Sequence, residues 1–475
     1  MVDLLVKNGT IVTQNADREV VTDGAVAIDG ETIAAVGETA DLEDSFDADR
    51  EIDATDHVVI PGLINTHTHV SDILLRGRDT ADRGLYDWLF NVKQPGTSVM
   101  TETEHEIAAA LYSQEALCSG ITTFVDNDAE MQVGEKASLR SKFRAFDAAG
   151  VRTIYARGIR DRPVDSGFQA LIDRITAREP TFEHPDQDEY VAEFDVWRDE
   201  LESLVEDHHG SSNGRLEIWV APVVIEAMTD DGLAGAYEFA ETHDVMTTIH
   251  TAEAPVQSDG ALSPIEHLRN VDSLGEHALL GHCVHVDDRD LRILAETDTR
   301  VAHNVASNMA LGNGFAPVPS MRNLGVQVGI GTDNSILSDT VNVLADLRLA
   351  ALSHKGHHHD PGVMQPQDVF DMATIEAART IRKGAKLGSL ESGKDADLVL
   401  LDFDQPHLKP APDVVSALVY QAQGTEVDTV VCNGRVVVED GTAIGVEREY
   451  PTLSERVEDA AARIGEKSGL GSPQQ

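Results

Sequence analysis

Pro61-Gly62-Leu63-Ile64-Asn65-Thr66-His67-Thr68-His69 is the stretch on which the reading of the fold turns. An apolar run over 58–66 ends in two histidines separated by one residue. Side chains two apart on an extended chain point to the same side, so both imidazoles can enter one cavity and share an ion. A His-x-His pair alone says little. Its weight comes from its place at a strand end and from what lies downstream.

Seven further apolar runs follow, over 121–126, 152–157, 217–223, 245–250, 278–283, 300–303 and 326–331, with helical patterns between them. Short apolar runs alternating with helices mark repeated βα units. Eight such strands predict a closed barrel, in which chemistry sits at the C-terminal strand ends. Polar residues fall there repeatedly: His67, His69, Asp126, His250, His282, His303 and Asp333 each stand where an apolar run stops. Towards the two chain ends, runs at 4–12, 25–28 and 33–36, and at 397–401, 427–431 and 435–438, are broken by Gly, Asn and Asp and predict antiparallel hairpins. The expected fold class is therefore α/β. A (β/α)₈ TIM-type barrel occupies 60–385, both chain ends (1–59 and 386–448) build a β-sandwich, and 449–475 forms a C-terminal helix and tail. A chain of 475 residues has room for both domains.

Three more motifs share the barrel's predicted mouth. His250-Thr251-Ala252-Glu253 sets a glutamate three residues beyond a strand-end histidine, an arrangement that suits a metal ligand with a proton-transfer acid beside it. Gly281-His282-Cys283-Val284-His285 and Gly331-Thr332-Asp333-Asn334 follow. Imidazoles and one carboxylate around an open position suit Zn²⁺ or Fe²⁺, either of which can acidify a bound water.

Together these motifs resemble the amidohydrolase superfamily, in particular the group of S-adenosylhomocysteine and methylthioadenosine deaminases, guanine deaminase and the triazine hydrolases. Leu75-Arg76-Gly77, His303-Asn304 with Ser307-Asn308, and the run from Gly388 to Leu398 extend the likeness over nearly the whole chain. The resemblance implies that His67, His69, His250 and Asp333 bind one divalent metal ion, zinc before iron. It implies catalytic roles for Glu253, His282 and Asp333, with Trp88, Asn304 and Asn308 as substrate-binding candidates and His285 in support. Binuclear relatives carry a carboxylated lysine on the fourth strand; the run 217–223 has none, so a mononuclear site is expected. The implied activity is hydrolytic removal of an amine from an amino-substituted N-heterocycle of purine, pyrimidine, pterin or triazine type. The adenosine-type enzymes have a Trp-Pro-x-Glu segment and an Ala-Pro-His; here Gln94-Pro95-Gly96-Thr97 and Ala221-Pro222-Val223 stand instead. Asn334, Asp339-Thr340-Val341-Asn342 and the segment beginning Tyr420-Gln421 look similar to the hydroxyatrazine ethylaminohydrolase branch. Alternatives are an S-adenosylhomocysteine/methylthioadenosine deaminase, a cyclic-amide hydrolase and a non-catalytic metal-binding homologue.

Composition narrows the partners. With 83 acidic against 37 basic residues the formal net charge is -46, and the acids are spread along the chain. Nucleic acid and anionic membrane would be repelled, whereas concentrated salt would screen such a surface; a halophilic protein is expected. Three scattered cysteines, Cys118, Cys283 and Cys432, argue against a disulfide framework, and the N-terminal residues do not read as a secretory signal. The expectation is a cytoplasmic enzyme of a small heterocycle, homodimeric as similar enzymes usually are. Two polar segments, 180–214 and 356–360 with His357-His358-His359, are expected as a helix followed by a solvated loop and as a solvated connection.

Overall fold

The computed structural model describes residues 1–78, 83–129, 132–162, 172–177, 190–258 and 260–470. Strands Leu63–His69, Ile121–Asp128, Arg152–Ile159, Leu216–Pro222, Thr247–Thr251, Ala278–His282, Arg300–His303 and Val328–Ile330 pair in parallel, each with its sequence neighbour. They are the eight runs anticipated from the alternation of apolar and helical segments. After Gly331 and Thr332 the last strand resumes as Asp333–Asn334, now pairing with the first strand: Asp333 opposes Thr68 and Asn334 opposes His69. Ile330, just before the break, opposes His303 of the seventh strand. One chain segment thus pairs with both neighbours and closes the barrel. A Cβ at Gly331 would meet Asn304 Oδ1 at 2.4 Å and the His67 carbonyl oxygen at 2.9 Å, so the switch needs glycine.

The second sheet is mixed and draws on both chain ends. Its N-terminal strands are Val2–Val12, Val20–Asp29, Thr32–Glu38, Ala48–Asp53 and His57–Pro61; its C-terminal strands are Leu398–Asp402, Val427–Cys432, Arg435–Glu439 and Thr442–Ala443. The two halves meet where His57–Pro61 runs antiparallel to Leu398–Asp402. Alternation along Val2–Val12 serves two cores: Leu4 and Val6 pack with Ile28, Val59 and Leu400, while Leu5 packs with Ala25 and Leu42.

Three details differ from the reading of the sequence. The run 58–66 is two strands, not one, because the chain leaves the mixed sheet at Pro61 and enters the barrel at Leu63. Both halves are buried and therefore apolar, so hydropathy does not register the change; Gly62 does, since a Cβ there would lie 2.1 Å from Thr122 Oγ1. The histidine tract is not a loop: helix Val343–His358 runs through His357 and His358, carried by the buried face of Leu347, Ala350 and Ala351, and ends at left-handed His359. In the polar segment 180–214, helix Phe194–His208 and the turn Ser211–Gly214 are present, and its first ten residues lie outside those described. The C-terminal helix spans Leu453–Ser468, and the expected frayed end beyond 470 also lies outside them. No helix among the described residues is long and apolar enough to cross a membrane.

A buried polar seam joins the sheets. Arg152, at the start of the third barrel strand, donates to Asp397 (3.2 and 3.4 Å) and to Asn433 Oδ1 (3.0 Å); the Asn433 amide donates to the same carboxylate at 2.7 Å. The Asp397 carbonyl in turn accepts from the amide of Gly62 at 2.9 Å. Removing one partner of a buried ion pair strands the other charge, so Asp397→Ala should cost about 3–5 kcal/mol. Denaturant unfolding of the variant and the parent protein would measure it; a loss under about 1 kcal/mol would show that the seam contributes little.

Candidate metal centre

The C-terminal strand ends bring His67, His69, His250, His282 and Asp333 together. His67, His250 and His282 form one group whose candidate ligand atoms lie within 4.8 Å of one another, and His67, His69 and Asp333 form a second. Asp333 Oδ1 is 3.4 Å from Nε2 of both His67 and His69. All but His250 are almost completely buried, and His250 is partly exposed. His282 and Asp333 also hold left-handed φ angles of 71° and 56°, rare for residues with side chains and typical of strain retained at functional sites.

Hydrogen bonds fix which nitrogens face inward. His250 Nδ1 lies 2.8 Å from the Val223 carbonyl oxygen, which can only accept, so the proton sits on Nδ1 and Nε2 presents a lone pair. That Nε2 faces His69 Nε2 at 3.2 Å. Among the described residues, neither ring nitrogen of His67 has a hydrogen-bond partner, nor has His69 Nδ1. Burial is the largest influence on His67, His69 and His250 and holds all three below the usual histidine range, in the neutral form that binds metals. Burial opposes ionisation of Asp333, but the close approach of the surrounding imidazoles, His67 first, holds it well below the carboxylate range. Neutral imidazoles with unpartnered nitrogens around an ionised carboxylate make a donor set that fits a divalent cation.

Beside this cluster lies the acid. Burial pushes the Glu253 carboxyl up to about 7. Its Oε2 is 3.7 Å from His282 Nε2, and its Oε1 accepts from Asn313 Nδ2 at 3.2 Å. The Gln257 side chain accepts from the backbone amides of Glu253 and Ala254, fixing the turn that carries the acid. His285 supports from behind, its Nε2 2.9 Å from the Asn313 carbonyl oxygen. Asn313 and Gln257 belong to no motif; only their contacts mark them.

Above the cluster opens a cavity, part of it open to solvent. His69, His250, Glu253, His282 and Asp333 form one end of its lining; Trp88, Lys93, Gln94, Thr97, Arg160 and Asn334 are among the rest. Trp88, expected from the sequence to contact substrate, is one of these lining residues. Asn304 and Asn308 do not line the cavity. Asn308 Oδ1 lies 2.9 Å from His282 Nδ1 and Asn304 Nδ2 3.3 Å from its Nε2. Asp126, another strand-end residue, is turned away too, accepting from the Val70 amide and paired with Lys142 at 2.7 Å.

Comparison with known proteins agrees with this geometry. A short N-terminal stretch, 24–47, matches an imidazolonepropionase-like composite domain of bacteria, and residues 58–437 match the Amidohydrolase family. The chain is 34% identical over 468 residues to a 5-methylthioadenosine/S-adenosylhomocysteine deaminase of Symbiobacterium thermophilum, covering 97% of this chain and 99% of that one. It is 29% identical over 479 residues to an S-triazine hydrolase of Gordonia rubripertincta, covering 99% and 98%. Among solved structures, a zinc-bound adenosine deaminase from Xanthomonas campestris shares the fold, with a TM-score of 0.85 at 22% identity over 98% of each chain. The match over 58–437 places this chain in the amidohydrolase family.

Proposed function

We propose that the chain hydrolyses a carbon–nitrogen bond of a small amino-substituted N-heterocycle, releasing ammonia or an amine. One observation carries this reading: a glutamate held near neutrality by burial stands 3.7 Å from His282, at the end of the cavity where the histidines and Asp333 converge. We assign His67, His69, His250 and Asp333 to a single divalent ion, zinc before iron, a preference supported by the zinc-bound neighbour. Bound there, the ion would acidify a water and so supply a nucleophile near neutral pH.

The remaining work falls to the chain. His282 and Asp333 orient the water and receive its proton; the Nδ1–H···Asn308 bond puts the His282 lone pair on Nε2, which Asn304 Nδ2 approaches to 3.3 Å. Glu253, able to gain or lose a proton near pH 7, protonates the ring nitrogen beside the reacting carbon and afterwards serves the departing amine. Asn304 and Asn308 hold His282 in place, and Trp88 offers an aromatic face to the heterocycle.

The deaminase relatives favour a nucleoside as a second reading. Against it, Thr97 lines the cavity where those enzymes carry a ribose-binding glutamate, and Val223 stands where they carry a histidine. We therefore favour a free base or related amino-heterocycle. A cyclic-amide hydrolase of the binuclear kind would need a lysine on the fourth strand, and Leu216–Pro222 contains none.

Four outcomes are expected. On a panel of amino-purines, pyrimidines, pterins and triazines, the protein should release ammonia or amine. On whichever substrate responds, Glu253→Gln should keep its metal but lose at least about 10²-fold in kcat, whereas His250→Ala should lose the metal itself. Metal loss in Glu253→Gln, or near-parental turnover, would transfer the acid role elsewhere. Metal analysis should also find one equivalent per chain, and two would overturn the mononuclear assignment. Finally, we propose that the net charge of -46 is a halophilic adaptation. Dilution from 1 M to 0.1 M salt lengthens screening from about 3 to about 10 Å and should lower Tm through self-repulsion; an unchanged or higher Tm would sink this idea.

A further inference from the structure

Arginines gather in one cleft on the far side of the barrel from the histidines. Arg215 directly precedes the fourth barrel strand, Leu216–Pro222, and helix Lys136–Ala149 ends just before the third, Arg152–Ile159. The cleft therefore lies at the N-terminal strand ends, whereas the histidines converge at the C-terminal ends. Both domains build its walls: Arg144 and Arg215 come from the barrel, Arg435 from the mixed sheet, and Arg448 and Arg456 from helices Ile444–Glu449 and Leu453–Ser468.

Charge is reversed here. The chain holds 83 acidic and 37 basic residues, yet five arginines meet three acids in this cleft. Each acid already has an arginine: Glu106 pairs with Arg144 at 3.1 Å, Asp147 with Arg215 at 2.9 Å and Glu449 with Arg448 at 3.0 Å. Arg144 also approaches Glu102 at 3.8 Å. Arg435 and Arg456 are left over, with no carboxylate partner among the described residues. Arg456 lies 5.6 Å from the centre of the Tyr450 ring, and the Tyr450 hydroxyl donates to Glu106 at 3.1 Å.

Arg215 adds an independent sign. It is 5% exposed and lines the cleft, and among the described residues its Nε has no hydrogen-bond partner. A guanidinium can only donate, and a buried donor left unpaired is costly, which favours a ligand bringing acceptors. Two arginines without carboxylates beside a third that is buried and unsatisfied suit an anion with several oxygens. The planar guanidinium fork matches phosphate with two parallel hydrogen bonds.

We infer that this cleft is a second binding site, separate from the metal centre, for a phosphate group. Its ligand bridges the barrel to the C-terminal strand and helices. The net charge of -46 repels any anion at long range, so the site acts by direct contact and not by its field.

Calorimetric titration with inorganic phosphate, pyrophosphate and ribose 5-phosphate tests this, with chloride holding the ionic strength constant. The parent protein should bind at least one of the three saturably at one equivalent, and the ligand should raise Tm because it binds only the folded form. Tightest binding of inorganic phosphate identifies a free ion as the natural occupant; tighter binding of either of the others identifies a phosphorylated metabolite. Arg435→Gln/Arg456→Gln should weaken binding at least about tenfold, by removing two charged donors. Arg198→Gln/Arg289→Gln, which lowers the net charge equally at other surface positions, should bind as the parent does. So should metal-depleted His250→Ala, because the ligand does not sit on the metal. Absence of saturable binding, equal binding by the Arg435/Arg456 variant, or binding lost with the metal would overturn the site.

Discussion

The eighth barrel strand has to change neighbours within two residues. Up to Ile330 it pairs with the seventh strand; from Asp333 it pairs with the first, and Gly331 is what lets the backbone pass between Asn304 and His67. Without that switch the barrel would stay open. With it, Asp333 arrives beside His67 and His69, residues more than two hundred and fifty positions earlier in the chain. Thr66 and Thr68 reinforce the junction by donating to the carbonyls of Ile330 and Asp333 at 2.8 and 3.0 Å. Closure of the fold and assembly of the centre are the same event.

Burial then sets the chemistry. Excluding water keeps the imidazoles neutral and raises Glu253, while the ionised Asp333 survives only because histidines surround it. Nearby, the same low-polarity setting is managed differently. Lys142 compensates two carboxylates at once, and Tyr155 donates to Asp128 at 2.9 Å. That closed network uses up its donors and acceptors internally. The centre leaves nitrogens of His67 and His69 without partners, and this contrast separates a site from a strut.

Much of this was legible in the sequence because strand ends are where apolar runs stop, and a polar residue there has few places to point except the mouth. His67, His69, His250, His282 and Asp333 were found by that rule. Asp126 obeyed the same rule and pointed elsewhere, because a lysine from the following helix, Lys142, captures it. Asn304 and Asn308, expected against the substrate, contact His282 and do not line the cavity; motif spacing does not fix which way an amide points. Lys93, which lines the cavity, left no trace, since one lysine in the π-helical turn Leu89–Lys93 has neither period nor motif. The strand break at Gly62 was hidden by continuous apolarity, and the histidine tract by its polarity, although the apolar face of Val343–His358 extends the helix through it.

The pairing of His57–Pro61 with Leu398–Asp402 has a consequence for how the molecule is made. Pro61 lies opposite Leu398, so the chain leaves the mixed sheet and returns to it at adjacent points, with all of residues 62–397 between them. A ribosome therefore releases His57–Pro61 long before Leu398–Asp402 exists. Until then Val59 and Ile60 end in an unpaired edge, the kind of surface that invites aggregation. The barrel, by contrast, can begin to assemble from neighbouring βα units as they emerge. Its closure also brings the two ends of this long loop together, so that the sheet's last strands meet a template already in position. Synthesis order thus favours a barrel that matures first and a sheet that completes last.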